Sequence, residues 1–198
     1  MNRFALLILL CSLAVASTSS CSLGFGARDA LAPQLDAKSK PDGAFVFGYI
    51  DMKAAKTGLD WAYLKQTEPK VFDPDHTSRA FQNVFYLENL PDGVFRLDGF
   101  GGNTWSFFHK GQYFFATYPV DYNLQLASKV QVRVDRPGVY FMGAYRYVHH
   151  DSGFLGDDTF SLEPISEPTE RQVLERILPE AKGGPWEPLL RKHLAQLP

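Results

Sequence analysis

The richest polar cluster in the chain is His149-His150-Asp151, followed by Asp157-Asp158 beyond Gly153 and Gly156. Imidazole nitrogens and carboxylates ligate zinc and related ions. The cluster is therefore the candidate metal site, and the only basis for a metal-dependent hydrolase. Neighbouring residues on a strand point to opposite faces, so the two imidazoles could converge only in a turn. His76, in Asp73-Pro74-Asp75-His76, and His109, beside a hairpin turn, could approach only through the fold. Asp151, Asp157 and Asp158 also offer oxygens to calcium, but without the Asp-x-Asp-x-Asp-Gly spacing of a calcium loop. The plainer reading of the whole cluster is a solvated loop. A Gly-x-Ser-x-Gly elbow is absent. Gly99-Phe100-Gly101-Gly102 lacks the Lys-Ser/Thr and the helix pattern of a phosphate loop, and reads as a bend. No residue is assigned a catalytic role, and no cofactor is implied.

A second candidate is aromatic. Trp105-Ser106-Phe107-Phe108-His109 and Tyr113-Phe114-Phe115-Ala116-Thr117-Tyr118 flank Lys110-Gly111. Strand alternation turns some of these rings outward unless another element covers them. Trp105, Phe107 and Tyr113 are the residues that would then offer a glycan, a peptide or a partner protein an apolar platform. If they are covered, they are core.

Positioning such groups requires a sizeable domain, and the chain of 198 residues supplies one. Its formal net charge of −2 gives no general attraction to nucleic acid, so that class of partner is disfavoured. Phe, Tyr and Trp number 16, 9 and 3, and aromatics suit a pleated, half-buried surface.

The elements follow from punctuation. Pro41-Asp42-Gly43 precedes an apolar run over residues 44–50. Pro91-Asp92-Gly93 separates runs at 84–88 and 94–97, and Arg136-Pro137-Gly138 separates 129–134 from 139–148. Pro fixes φ and Gly supplies positive φ, so each signature can reverse the chain. Residues 61–64 and 160–162 are further candidate strands. Val130, Val132 and Val134 alternate with Lys129, Gln131, Arg133 and Asp135, a half-buried strand. In residues 139–148 both faces are apolar: Phe141, Tyr145 and Tyr147 on one, Tyr140, Met142 and Val148 on the other. That strand is expected to be central or covered on both sides. Thr169-Glu170-Arg171-Gln172 reads as a capping box opening a helix with Val173, Leu174, Ile177 and Leu178 on one stripe. Pro179 and Gly183-Gly184 should end it. Trp186, Leu190, Leu194 and Leu197 suggest a second short helix. The expected fold is mainly β, an antiparallel β-sandwich over 42–165, with a helical tail over 166–198 packed on it or reaching for a partner.

Residues 1–20 read as a targeting segment. Arg3 is the lone early charge, and residues 4–16 form an apolar stretch shorter than the ~20 residues needed to cross a bilayer. Small polar residues 17–20 lead to Cys21. This resembles the bacterial lipoprotein signal, with Ser20-Cys21 matching its lipobox and Thr18 standing where Leu is usual. The resemblance implies a diacylglyceryl group on Cys21, and Ser22 after it favours the outer membrane, facing the periplasm. Ordinary cleavage upstream would leave Cys21 a free thiol, and an uncleaved segment would stay as an anchor, at the cost of placing residues 17–20 in hydrocarbon. Cys11 is the other of the two cysteines and departs with the signal, so no intramolecular disulfide is expected. Residues 21–41 then form a lipidated N-terminus and tether, or pack in part through Leu31 and Leu35.

Residues 85–97, Phe-Tyr-Leu-Glu-Asn-Leu-Pro-Asp-Gly-Val-Phe-Arg-Leu, resemble the strand–turn–strand motif of transthyretin-like, or carboxypeptidase-regulatory-like, sandwich modules. Residues 132–143 are similar to a strand pair in bacterial envelope lipoproteins of unassigned function. These resemblances imply a seven- or eight-stranded sandwich and carry no catalytic residues. The combined expectation is a lipid-anchored, non-enzymatic binding or structural module of the envelope. Its partners would be the membrane through Cys21, and an envelope protein or glycan.

Overall fold

The computed structural model describes residues 35, 40–55, 58–105, 110–116, 130–150 and 159–198. The most apolar run becomes β1 (Ala44–Asp51), buried along its length up to Asp51. Its neighbours explain why. β4 (Val84–Leu90) pairs antiparallel along one edge and β8 (Gly138–His150) parallel along the other. A strand in a parallel pair, covered on both faces, tolerates no alternation with polar residues.

The remaining strands are β2 (Trp61–Glu68), β3 (Asp75–Phe81), β5 (Gly93–Trp105), β6 (Lys110–Ala116), β7 (Gln131–Val134) and β9 (Thr159–Pro164). They join in the order β6-β5-β2-β3-β4-β1-β8-β9, with β7 beside the first half of β5. The protein is thus mainly β, but the sheet is one curled, mixed half-barrel where an antiparallel sandwich was expected. β3 was not foreseen, because Asp-His-Thr-Ser-Arg carries no apolar pattern. It joins β4 through two rungs only, Ala80↔Phe85 and Phe81↔Val84. Beyond them the buried Ser78 hydroxyl bridges the gap, donating to the Tyr86 carbonyl and accepting from its N–H.

Two turn signatures act otherwise than as hairpins. β4 and β5 flank Pro91-Asp92-Gly93 but do not pair; β4 lies on β1, and β5 on β2, β6 and β7. β7 and β8 flank Arg136-Pro137-Gly138 and likewise part company. Each signature carries the chain from one half of the curl to the other. At the first corner Asn89, at φ 56°, makes a bulge, and its Oδ1 accepts the N–H groups of Asp42 and Gly43 at 3.1 Å each.

The inside of the curl holds Val46, Ile50, Met52, Leu64, Phe85, Phe95, Phe100, Val134, Met142 and Tyr147. The outer face of β1, β4 and β8 carries Phe45, Phe47, Tyr49, Val84, Tyr86 and Ala144. Along β8 the assignment of faces changes midway. Phe141 points outward whereas Tyr145 and Tyr147 point inward, not the common face that simple alternation gave them. Between Phe47↔Phe141 and Tyr49↔Ala144, β1 advances two residues and β8 three. The extra residue is a bulge at Gly143, φ 109°, and a bulge inverts the alternation beyond it.

Two helices cover the outer face: α1 (Glu170–Ala181) and α2 (Glu187–Leu194). The Thr169 capping box is present in both directions. Val173, Leu174 and Ile177 are fully buried, each contributing ~1.5–3 kcal/mol of burial. Trp186 and Leu190 complete the layer, Trp186 lying 5.2 Å from the Phe45 ring. Pro179 lies within α1 instead of ending it. Proline has no N–H to offer the Glu175 carbonyl four residues back, and Glu175 lies on the exposed side of the helix. Leu35 is buried in this same outer layer.

Candidate functional site

The end of β1 opens into a groove of about 700 Å³, lined by Tyr49, Asp51, Lys53, Arg146, Ile165, Glu167, Pro168, Gln172, Glu175 and Arg176. Local chemistry builds each wall. Asp51 Oδ1 accepts the Lys53 N–H at 3.1 Å, closing an Asx turn that starts a single 3-10 turn (Lys53–Ala55). Asp51 lies across from Arg146 in the parallel pair, and Arg146 across from Glu163 on β9. The Ile165 N–H donates to the Ala144 carbonyl at 2.9 Å, holding the approach to α1 against β8. On α1, Gln172, Glu175 and Arg176 stand at helical spacing, opposite buried Val173, Leu174 and Ile177. The Gln172 side chain is committed to the cap, its Oε1 accepting the Thr169 N–H at 2.8 Å.

The floor is apolar and the rim is charged. Tyr49 and Pro168 are buried, and the Arg176 guanidinium lies 5.3 Å above the Tyr49 ring centroid. That cation–π contact holds Arg176 along the floor. Lys53 and Arg146 are exposed. The ion pairs among the described residues lie elsewhere: Arg96–Asp98, Arg133–Glu68, Arg191–Glu187 and His193–Glu170. Asp51, Glu167 and Glu175 line the same groove as Lys53, Arg146 and Arg176 without closing a pair with them. Free guanidinium groups in a concave site suit carboxylate or phosphate, which they bind through paired N–H donors.

The residues singled out from sequence fall in other places. The His149 and His150 rings take different partners on opposite faces of β8. His149 Nδ1 lies 3.3 Å from the Tyr147 hydroxyl, and His150 Nε2 lies 2.8 Å from Ser161 Oγ on β9. Asp151, Asp157, Asp158 and His109 lie outside the described residues, as do Cys21 and Phe107. Among the described residues no group of three His, Cys, Asp or Glu could hold a metal ion. His76 on β3 meets the Phe95 ring edge-on at 5.6 Å, and its Nε2 is buried without a partner. Burial lowers its pKa below 6.5, against the opposing charges of Asp73 and Asp75. On the β5–β6 ladder Trp105 stands across from Lys110 and Tyr113 across from Gly102, three rungs apart. Lys110 and Gly111 are therefore rungs of the ladder and not the turn that the sequence suggests.

Sequence reasoning did not find the groove. Its one signal was Arg146, a lone cation in an otherwise apolar strand. Arg176 looks like any residue on a wet helix face until the fold sets it over Tyr49. Among the described residues no helix is long and apolar enough to cross a membrane. No protein family matches this chain, and neither does any curated protein or solved structure.

Proposed function

We propose that the chain is a lipid-anchored envelope module that binds, without catalysis, a ligand carrying carboxylate or phosphate groups in the Tyr49–Arg176 groove. One observation carries the binding role: Lys53, Arg146 and Arg176 line a single open groove, and none is neutralised by the carboxylates beside it. The anchoring role is supported by the apolar stretch and small polar residues that lead to Cys21. The rim carboxylates Asp51, Glu167 and Glu175 suit a ligand that also carries a positive group, such as a short acidic peptide with a free amine.

Two measurements test this. Mass spectrometry of the mature N-terminus should find acylated Cys21; an unmodified Cys21, or cleavage upstream of it, removes the anchor. Thermal unfolding should then be followed with carboxylate-bearing peptides and phosphate compounds. A ligand present at 100 times its Kd adds ~2.7 kcal/mol, roughly 5–10 °C for a domain of this size. That shift should vanish in R146A/R176A. A shift that survives the double substitution places binding elsewhere.

A further inference from the structure

We infer that the tip of the β2–β3 connection, Lys70-Val71-Phe72, is a second and non-covalent contact with the lipid surface; the inference rests on the lipid anchor proposed at Cys21. Three large apolar side chains are exposed among the described residues, and two of them, Val71 at 42% and Phe72 at 105%, are adjacent here. Phe72 therefore touches essentially nothing in its own domain. The base of the connection is held in place. The Gln66 N–H donates to the Pro74 carbonyl at 2.7 Å, Thr67 Oγ1 to the Val94 carbonyl at 3.2 Å, and Glu68 pairs with Arg133 at 3.3 Å. The apolar tip is presented by an ordered hairpin.

A lipid surface is the occupant the chain favours. Leu35 is fixed in the outer layer, so at most residues 22–34 separate the domain from Cys21. At ~3.3–3.6 Å per residue that span reaches ~45 Å, about the diameter of a domain this size. An anchored domain thus never leaves the neighbourhood of the bilayer, and two side chains suffice where they would be too weak for capture from solution. Lys70 can extend its ammonium to the phosphates while Val71 and Phe72 enter the acyl boundary. Asp73 and Asp75 stand next to the tip. Contact should therefore follow apolar insertion and gain nothing from anionic lipid.

The test uses the full mature lipidated chain in protein-free phosphatidylcholine vesicles. Acylation occupies the Cys21 sulfur, so a new cysteine is the single free thiol. A spin label at V71C should gain accessibility to oxygen and lose it to a water-soluble nickel complex, while a label at D92C should not. Adding F72S should lower the ratio of inserted to free tip ~10-fold or more, the factor a buried Phe side chain contributes. Equal nickel accessibility at positions 71 and 92 overturns the proposal. Protection at 71 in native envelopes but not in these vesicles also overturns it, and assigns the tip to a protein partner. A chain whose Cys21 carries no lipid by mass removes the anchor and the contact together, and is told apart from the other outcomes by that mass.

Discussion

Replacing Gly143 with Ala should destabilise the domain more than the same change at Gly183, the other positive-φ glycine among the described residues. Two costs coincide there. At φ 109° an L side chain is strained, and a Cβ would sit 2.9 Å from Tyr145 Cε2 and 3.0 Å from its hydroxyl. The ring cannot swing away freely, because its hydroxyl donates to the Met142 carbonyl at 3.0 Å and it packs on the inner core. Gly183 separates the two costs. It has φ 75°, and a methyl added there would meet nothing within 4 Å. G183A should therefore cost the conformational strain alone, ~1 kcal/mol, or about 3 °C. G143A adds crowding and should reach ~3 kcal/mol or more, roughly 6–12 °C. Urea and thermal unfolding of the mature chain bearing C21S would measure both. Truncating Tyr145 to Ala in the G143A background should recover the crowding part, seen as a favourable coupling in the double-mutant cycle. If G143A and G183A cost the same, or if the cycle shows no coupling, the bulge is not held by the contact described.

Two further outcomes follow from the helix layer and from β3. T169A removes the side-chain acceptor of the α1 cap and should cost ~1 kcal/mol, with amide exchange rising first in the opening turn of α1. His76 has a folded pKa below its unfolded value of 6.5 because burial disfavours its charge. The unfolded chain then takes up a proton first, so stability is complete above pH ~6.5 and falls as the pH drops towards the folded pKa. H76L should flatten that part of the stability–pH curve; an unchanged slope would mean that another group sets it.

Some of this was legible in the residues. Val130, Val132 and Val134 turn towards the core, with Gln131 and Arg133 outside, because a short strand with one wet face needs only local alternation. The Thr169 box and the apolar stripe of α1 are likewise local. What was not legible depends on distant partners. A Pro-x-Gly signature marks a change of direction, and whether the next strand pairs with the last or crosses to the other half depends on β1 and β2. The parallel pairing of β1 with β8 leaves no mark beyond apolar faces. Gly143 looked like one residue of a regular strand, so the faces of Phe141 and Tyr145 were merged. The groove combines residues from β1, β8 and α1, and nothing in their spacing announces it.

The parallel β1–β8 pair also sets the order of assembly. Ala44 finds one partner at Leu90 and the other at Gly138. At ~5–20 residues per second of synthesis, β1 waits on the order of 5–20 s with that edge bare. β1 is the most hydrophobic strand, and such an edge is a template for unwanted pairing. Contacts this far apart in the chain also slow folding, into the ms–s range. A nascent copy that has emerged only through β7 thus lacks the partner of one edge of β1, and that apolar seam closes only when β8 arrives.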